Sequence, residues 1–347
     1  MSNFDFHQIL APLLSWYGEN KRTLPWRENP TPYRVWVSEI MLQQTRVEAV
    51  KDYYARFMQA LPTIEDLAGC EEERLLKLWE GLGYYSRARN LQKTAKRLVQ
   101  YYGGEFPRDS KELTALPGIG SYTAGAIASI AFGLPTPAVD GNVFRVASRL
   151  EENPTPISDP KYRKYLEKTL AEVYPEAGEQ CSAFTQSLFE LGALICKPKT
   201  PDCEACPLAG LCRAKQNGTQ GEFPVVPAKK PKRAEKVYAF CIQTPQGVCI
   251  RRRETGVLKG LNEFPSKVIT DGETPENILN EWGIYEFTEV KRKEYTHIFT
   301  HIRWDITCIW IKTDSAPFDA YSLSEIKESI SLPTAFRQCL GILNGEI

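Results

Sequence analysis

The chain has 347 residues, of which 42% are apolar and 25% are charged. That length predicts about two domains, and the composition is typical of globular protein that can bury a core. The 43 basic and 43 acidic residues cancel, which argues against a protein coated in positive charge but does not exclude local DNA-binding patches. No stretch reaches the roughly 18 apolar residues of a membrane helix, and the start, MSNFDFHQIL, lacks the pattern of a signal peptide. We therefore expect a cytoplasmic protein without a membrane partner.

The first part of the chain has helical periodicity. Residues 4–18 form one helical pattern, and residues 33–60 form a longer one that we expect to break near Gln43 and Gln44. Glu39 lies inside the second pattern, between Val37 and the apolar residues 40–42. A carboxyl group in an apolar setting resists ionisation, so it can serve as an acid near neutral pH. The alternative is a glutamate that faces solvent on an amphipathic helix.

A glycine-rich turn, residues 81–85, presents two tyrosines and is followed by a basic segment. Aromatic and basic side chains together suit base stacking and phosphate contact. The alternative is a packed aromatic turn followed by a solvated helix face. The basic residues are Arg87, Arg89, Lys93, Lys96 and Arg97.

Residues 116–142 contain the turn Pro117-Gly118-Ile119-Gly120, then a helical pattern from Ser121. Glycines permit a sharp turn, and a turn that opens a helix directs backbone N–H groups towards an anion such as a phosphate. Asp140 follows 20 residues after Gly120 and precedes a second helical run, 142–150. Each feature alone has an ordinary explanation, a simple turn or a helix N-cap. Their order and spacing favour a functional site.

Four of the ten cysteines, Cys196, Cys203, Cys206 and Cys212, follow the spacing C-x6-C-x2-C-x5-C. Thiolates are soft ligands for iron–sulfur clusters or zinc, and disulfides are not expected in a reducing compartment. Structural zinc sites usually use two C-x-x-C pairs, whereas this loop has one, so iron–sulfur is favoured over zinc. The other cysteines are expected to be buried free thiols: Cys70, Cys181, Cys241, Cys249, Cys308 and Cys339.

Further helical patterns cover residues 161–175 and 183–195, and then the composition changes. Residues 214–236 have several glycines and prolines, no helical period, and six basic against two acidic residues. This composition predicts an interdomain linker that can lie along DNA.

A period of two residues predicts strands at 237–243, 247–252, 286–293, 295–302 and 304–312. Thr274 with Pro275 predicts a helix start, and Ser322 with Glu325 forms a capping box. The C-terminal part is therefore an α+β domain after a mostly helical region.

Together, WVSEIMLQQT, GLGYYSRARN, LPGIGSYTAGAI, VDGNVFRV and the cysteine loop resemble the MutY family of bacterial adenine DNA glycosylases. The resemblance implies a helix-hairpin-helix glycosylase region at 1–213, with a six-helix barrel at about 24–134 and a [4Fe–4S] module at about 1–23 and 135–213. It further implies a linker at 214–236 and a Nudix-like domain at 237–347. The implied activity is hydrolysis of the N-glycosidic bond of an extruded adenine paired with 8-oxoguanine or guanine, in base excision repair.

The resemblance also implies residue roles. Glu39 is the expected acid and Asp140 the carboxylate facing the sugar, with Tyr122 and Asn142 holding Asp140 and the sugar. The expected adenine pocket consists of Arg27, Leu42, Val47 and Gln186. Residues expected to bind DNA in the hairpin or to fill or flank the gap in the duplex are Gly118, Gly120, Gln44, Thr45, Leu82 and Tyr84. Cys196, Cys203, Cys206 and Cys212 are the expected ligands of the cluster.

Related lyases carry a lysine where this chain has Tyr122, and a Schiff-base lyase needs that amine. Since residues 116–128 contain no lysine, we expect a monofunctional glycosylase. The Nudix-like segment 260–265 is not followed by an acid-rich helix, so this domain is expected to bind rather than hydrolyse. Phe299, Thr300 and His301 correspond to a Phe-Ser-His turn that reads 8-oxoguanine in the family, with threonine in place of serine; the alternatives are a register shift to His297 and a core role for Phe299.

The expected partner is double-stranded DNA containing an A:8-oxoguanine or A:G mispair, bound by a monomer associated with the nucleoid. Three other functions remain as alternatives: an endonuclease III-like glycosylase/lyase, a non-catalytic lesion-binding iron–sulfur protein, and a Nudix phosphohydrolase.

Overall fold

The computed structural model describes residues 4–228, 231–270 and 272–344. Lys229 and Lys230, which were counted in the basic linker, lie outside the described residues. The chain divides into two compact units. We call residues 1–70 and 89–228 the helical unit, and residues 71–88 and 229–347 the sheet unit.

Thirteen α-helices precede residue 229 in the described chain, and the seventh runs across the division between the units. They are α1 (Leu10–Asn20), α2 (Pro25–Glu28), α3 (Pro32–Leu42), α4 (Val47–Ala60), α5 (Ile64–Gly69), α6 (Glu72–Leu78), α7 (Ser86–Tyr102), α8 (Ser110–Thr114), α9 (Ser121–Ala126), α10 (Gly141–Glu151), α11 (Pro160–Ala177), α12 (Cys181–Glu190) and α13 (Arg213–Asn217). Short 3₁₀ segments cover Phe6–Ile9 and Gly178–Gln180, and π-helical turns cover Ile127–Ala131 and Leu191–Ile195.

The predicted helices are present with shifted ends. The break in the pattern 33–60 falls between α3 and α4, where Gln44 has a φ of 60° that a helix does not allow. The pattern 4–18 becomes the 3₁₀ segment followed by α1, which ends two residues beyond Gly18, at Asn20. The segment 214–236 differs from its expected lack of regular structure, because α13 begins at Arg213 and a strand begins at Arg233.

A hydrophobic core joins four helices that precede the predicted cysteine loop in sequence. Leu13 of α1, Val143 of α10, Leu166 of α11 and Phe184 of α12 are at most 1% exposed and belong to one cluster. Each sits at helical spacing from other apolar residues, so each helix buries one stripe. Burial of such a side chain contributes roughly 1.5–3 kcal/mol, which fixes α10 and α12 and therefore the residues at their ends.

The sheet unit is built on a seven-stranded sheet with the order β3-β2-β1-β6-β5, in which β4 pairs with β1 and β7 pairs with β2. Its strands are β1 (Arg233–Thr244), β2 (Gly247–Arg252), β3 (Asn262–Glu263), β4 (Ser266–Val268), β5 (Thr288–Ile298), β6 (Ile302–Lys312) and β7 (Asp319–Tyr321). The helices after residue 229 are α14 (Pro275–Glu281), α15 (Leu323–Glu328) and α16 (Arg337–Leu343), with a 3₁₀ segment at Thr334–Phe336.

Both faces of the sheet are covered. The central strands β1 and β6 pair in parallel, from Arg233 with Ile302 to Gln243 with Lys312. Alternate residues of these strands pack against α15 and α16 on one face and against α14 on the other. This explains why β1 reads as an almost continuous apolar run rather than a clean alternation.

Two of the five predicted C-terminal strands were wrong as separate elements. The segments 286–293 and 295–302 form the single strand β5, which ends at Ile298. Residues Glu294 and Thr296 stay paired with β6 and carry the ladder through the expected interruption. The helix start at Thr274 and the Ser322–Glu325 capping box are confirmed. In the part of the chain that the structure describes, no helix is long and apolar enough to cross a bilayer.

Candidate active site

Glu39 lies on the buried side of α3 and is 6% exposed. The helix starts where Thr31 accepts a hydrogen bond from the backbone N–H of Arg34 and Pro32 occupies the first turn. Burial raises the pKa of Glu39 to about 7; the hydrogen bond from Tyr122 opposes this rise, and the charge of Asp140 adds to it. The predicted setting for a protonated carboxyl group is therefore present.

The glycine hairpin brings Tyr122 to Glu39. Gly118 has a φ of 75°, and a Cβ at this position would lie 2.8 Å from the Cβ of Asn90, so both the backbone angle and the space require glycine. The turn leads into α9, from which Tyr122 donates a hydrogen bond from its hydroxyl to Oε2 of Glu39. Burial, and then the charges of Glu39 and Asp140, raise the pKa of Tyr122, which keeps its hydroxyl protonated as a donor.

Asp140 is the N-cap of α10. Its Oδ1 accepts from the backbone N–H of Val143 at 2.8 Å, and its Oδ2 accepts from Nδ2 of Asn142 at 2.8 Å. Burial raises the pKa of Asp140, and these hydrogen bonds oppose the rise because they favour the carboxylate. The ordinary N-cap explanation is therefore confirmed for Asp140, and its functional role stays a prediction.

Arg145 connects Asn142 to the first cysteine of the predicted cluster loop. Its Nη2 donates to Oδ1 of Asn142 at 2.8 Å and to the Gly192 carbonyl at 2.8 Å. Its Nε donates to the carbonyl of Cys196 at 2.7 Å. Gly192 allows this close approach, because a Cβ there would lie 2.5 Å from the Cβ of Asn142. The orientation of Asp140 thus depends on a chain of contacts that reaches the cysteine loop.

A second network holds Arg27, one of the predicted adenine-pocket residues. Glu190, which is 1% exposed, accepts from Arg22 at 2.6 Å and from Arg27 at 2.9 Å. Burial raises the pKa of Glu190, but the hydrogen bonds and charges of the two arginines outweigh it and lower the pKa overall. The charge of Arg27 also reaches Glu39 and lowers its pKa. Arg27 is therefore fixed close enough to Glu39 to act on it.

The remaining predicted residues of the helical unit lie near the break between α3 and α4 or on α12. Leu42 ends α3 and Val47 begins α4, and both are half-buried, as is Thr45. Gln44 is exposed. Gln186 is half-buried on α12, where its Nε2 donates to the hydroxyl of Ser182 at 3.2 Å.

The predicted lesion-reading residues form a local cluster in the sheet unit. Thr300 and His301 are exposed in the turn between β5 and β6, while Phe299 is half-buried and packs on Trp304 with ring centroids 4.9 Å apart. The hydroxyl groups of Thr300 and Tyr84 are 3.0 Å apart, within hydrogen-bond distance. Leu82 is buried, whereas Tyr84 is 47% exposed. His297 lies within β5 and pairs with Trp304.

The four cysteines of the loop lie close enough together for Cys206 to interact electrostatically with the other three. Burial raises the pKa of Cys206 to about 12, and the nearby charges of Cys196, Cys212 and Cys203 add to this rise. Arg149 donates to Sγ of Cys196 at 3.2 Å and to the carbonyls of Lys197 and Pro198 at 2.8 Å each. A soft donor set held by a cationic side chain fits a metal cluster chemically. A separate group of three, Cys241, Cys308 and Cys339, could also hold a metal ion.

The sequence predictions missed four charged residues that support this site: Arg22, Arg145, Arg149 and Glu190. One signal was available, because Glu190 lies among apolar residues of a helical run just as Glu39 does. The arginines carried no such signal, since their partners lie up to 168 residues away in the chain.

Two family models match the chain. The HhH-GPD superfamily of base excision DNA repair proteins matches residues 37–173, and the NUDIX domain matches residues 237–341. The first match contains Glu39, Tyr122 and Asp140, and the second contains the turn between β5 and β6.

Curated relatives are similar over most of the chain. The adenine DNA glycosylase of Mus musculus is 35% identical over 373 residues, covering 90% of this chain and 72% of the relative. The adenine DNA glycosylase of Buchnera aphidicola subsp. Baizongia pistaciae is 34% identical, covering 99% of this chain and 95% of the relative.

Solved structures are similar to the helical part. A thermostable thymine-DNA glycosylase superposes with a TM-score of 0.55 at 29% identity, covering 61% of this chain and 97% of that one. A non-covalent endonuclease III–DNA complex superposes with a TM-score of 0.52 at 30% identity, covering 61% of this chain and 96% of that one.

Proposed function

The chain belongs to the adenine DNA glycosylase family, and from this premise we propose that its substrate is adenine paired with 8-oxoguanine or guanine in double-stranded DNA. It is a DNA N-glycosylase that excises adenine in base excision repair. We further propose that it only hydrolyses the N-glycosidic bond and leaves strand cleavage to another enzyme.

The observation that carries this proposal is the proximity of two carboxyl groups, since the charge of half-buried Asp140 raises the pKa of buried Glu39. With a pKa of about 7, Glu39 can carry a proton near neutral pH and donate it to the ring of an extruded adenine. Asp140 accepts two hydrogen bonds that favour its ionised form, so it suits the positive charge that develops on the sugar as the base leaves. Tyr122 orients the acid and Asn142 orients the carboxylate.

The other predicted roles are proposed for the same reaction. Arg27, Leu42, Val47 and Gln186 would line the adenine pocket, and Arg27 is held for it by Glu190. Extrusion of a base costs a few kcal/mol, so Gln44, Thr45, Leu82 and Tyr84 would occupy or flank the space it leaves. The backbone at Gly118 and Gly120 would contact a phosphate.

The lyase alternative requires an amine nucleophile at the hairpin. In this chain, the position carries Tyr122, whose hydroxyl donates a hydrogen bond to Glu39. A phenol cannot form the Schiff base through which a lyase cleaves the strand. This supports hydrolysis alone.

One assay separates the candidate functions. The protein is incubated with a duplex that contains one A:8-oxoguanine pair, and half of each sample is then treated with alkali. We expect strand cleavage only after alkali. Cleavage without alkali would indicate a lyase, no cleavage would indicate a lesion-binding protein, and hydrolysis of nucleotides with Mg²⁺ would indicate a Nudix hydrolase.

We propose that the turn Phe299-Thr300-His301 reads 8-oxoguanine. The Thr300 hydroxyl is exposed and lies beside Tyr84, so both can reach the same nucleotide once DNA is bound. The half-buried ring of Phe299 packs on Trp304 and so stabilises the turn. The helix α14 has glutamates only at Glu276 and Glu281, which supports a binding role for this domain rather than hydrolysis.

Thr300→Ala should reduce the preference for 8-oxoguanine over guanine by roughly 5-fold, because loss of one hydrogen bond costs on the order of 1 kcal/mol. Thr300→Ser keeps the hydroxyl and is expected to retain the preference. The measurement is the single-turnover rate on A:8-oxoguanine and on A:G duplexes. Equal losses on both substrates in the alanine variant would remove the lesion-reading assignment.

We propose that Cys196, Cys203, Cys206 and Cys212 hold a [4Fe–4S] cluster. When bound, such a cluster would cross-link the loop and complete its fold. The chain's own contribution is the clamp from Arg149 to Cys196, and the contact from Arg145 to the same residue's carbonyl.

Cys206→Ser should lower iron content to well below that of the parent chain and destabilise the loop, because one of four thiolate ligands is lost. Through Arg145 and Asn142, we also expect a reduced rate of adenine release. Iron and sulfide analysis of freshly purified protein checks the first result. Cys181→Ser, a buried cysteine of the same unit, is the matched control; equal iron loss in both variants would contradict the assignment.

We propose domain limits at residues 213 and 237, with the basic segment 214–236 lying along DNA. We propose that the protein acts as a monomer on chromosomal DNA in the cytoplasm, and that the basic residues of this segment contact the double-stranded substrate. Sedimentation of the free protein and of its complex with one duplex would test the monomer.

A further inference from the structure

Three cysteines from distant parts of the sequence meet inside the sheet unit. Cys241 lies on β1, Cys308 on β6 and Cys339 on α16, and each is 0% exposed. Their three sulfur atoms all lie within 4.8 Å of one another, and those of Cys241 and Cys308 are 3.6 Å apart. We call this group the thiol triad. It is separate from the four cysteines of the loop.

The spacing of the triad suits one metal ion rather than a cluster. A metal–sulfur bond of about 2.3 Å places the three sulfurs of a planar site about 4 Å apart. The triad already has nearly this spacing. In a [4Fe–4S] cluster each cysteine binds a different iron, so the thiolates stand farther apart. A disulfide needs only two sulfurs, which leaves the convergence of the third unexplained.

The donor set indicates the kind of ion. Among the residues that the structure describes, no histidine or carboxylate belongs to this group. Three thiols alone select soft ions, Cu⁺ or Zn²⁺. Structural zinc prefers four ligands. The neighbouring polar group, the hydroxyl of Tyr295, is 3.3 Å from Sγ of Cys339 but donates to the carbonyl of Ala335 at 2.7 Å. A three-coordinate ion therefore fits better than a tetrahedral one.

The surroundings of the triad also favour an ion of low charge, because burying charge away from water is costly. The surrounding core is apolar, with Ala239, Ile306 and Phe336 in the same cluster, so water is excluded from the sulfur atoms. We propose that the thiol triad is a binding site for a single Cu⁺ ion, which would join β1, β6 and α16. This goes beyond the proposed glycosylase function and does not rest on it.

The test uses the full chain with its iron content measured, kept reduced and free of oxygen. Cu⁺ is supplied as its complex with a coloured competing chelator, and copper and iron are then counted per chain. We expect one retained Cu⁺ with no loss of iron. Single changes C241S, C308S and C339S should each weaken copper binding at least 100-fold, whereas C249S, a buried cysteine of the same unit, should leave it unchanged.

A spectroscopic measurement on the unchanged protein covers the case in which the serine variants do not fold. X-ray absorption at the copper edge should show three sulfur neighbours at one distance. Absence of retained copper, equal copper binding by all variants, or copper that displaces iron would overturn the proposal. Triad-dependent binding of Zn²⁺ in place of Cu⁺ would overturn the assignment to a monovalent ion.

Discussion

Asp140→Asn should abolish adenine release and leave DNA binding nearly unchanged. The substitution removes the negative charge that we propose to stabilise the sugar as its bond to the base breaks. The expected loss in the single-turnover rate is on the order of 10³–10⁴-fold, the scale seen when one member of a catalytic set is removed. Affinity for the mispaired duplex depends mainly on phosphate contacts, which this change does not touch.

The structure explains why the fold should survive this substitution. An asparagine Oδ1 can still accept the hydrogen bond from the N–H of Val143, so α10 keeps its cap. The hydrogen bond from Nδ2 of Asn142 to Oδ2 of Asp140 is lost, because the substitution places an amide nitrogen where the accepting oxygen was. We therefore expect a modest loss of stability, about 1 kcal/mol.

The matched control is Asp159→Asn, which makes the same change at the N-cap of α11. Its side chain also accepts from a backbone N–H, that of Lys161 at 2.8 Å, but it belongs to no part of the proposed site. A rate loss in the Asp159 variant as large as in the Asp140 variant would mean that N-cap loss, not charge loss, causes the effect. Substantial activity in Asp140→Asn would remove its proposed role.

The sequence predicted those parts of the site that carry a local signal. Glu39 could be singled out because apolar residues surround it along the helix, and the structure buries it as that pattern predicts. The glycine hairpin was also predictable, because a glycine in a turn often has a positive φ, as Gly118 does. These signals depend on neighbours within one helical turn.

Contacts between distant segments could not be predicted in this way. Glu190 holds Arg22 and Arg27 across more than 160 residues of sequence, with separations of 168 and 163. The thiol triad brings together cysteines that each looked like a single buried thiol. The continuous strand β5 is a similar case, because pairing with β6 overrides the local polarity of residues 289–296. Tertiary packing determines these contacts between distant segments, and the periodicity of the sequence contains no information about them.

Glu39→Gln is the second change with a large expected effect, and its dependence on pH makes it informative. Since the pKa of Glu39 is about 7 in the folded protein, the acid is protonated below that pH. Adenine release by the parent chain should therefore fall as pH rises through about 7. At low pH the rate should fall again as Asp140 takes up a proton, at a higher pH than for an ordinary aspartate, because burial raises its pKa.

Glutamine cannot donate a proton to adenine, so Glu39→Gln should lower the rate by on the order of 10²–10⁴-fold. The descending limb of the pH–rate profile above neutral pH should disappear with it. Single-turnover rates from pH 5 to pH 9 on one duplex measure both effects. A variant that keeps the same descending limb would assign that limb to another group.

The same substitution should stabilise the fold above neutral pH, which separates loss of chemistry from loss of structure. The pKa of Glu39 moves from an ordinary 4.5 to about 7 on folding. Between these values the folded protein binds a proton that the unfolded chain has released, so stability falls as pH rises through this window. A rise of 2.5 in pKa corresponds to about 3 kcal/mol above pH 7. Glutamine carries no charge and avoids this cost. Denaturant unfolding should therefore show that Glu39→Gln gains stability relative to the parent as the pH rises from 5 to 8. Glu48→Gln, on the exposed face of α4, should show no such gain. A stability difference for Glu39→Gln that does not change with pH would mean that the carboxyl group of Glu39 does not have the raised pKa on which the proposed acid depends.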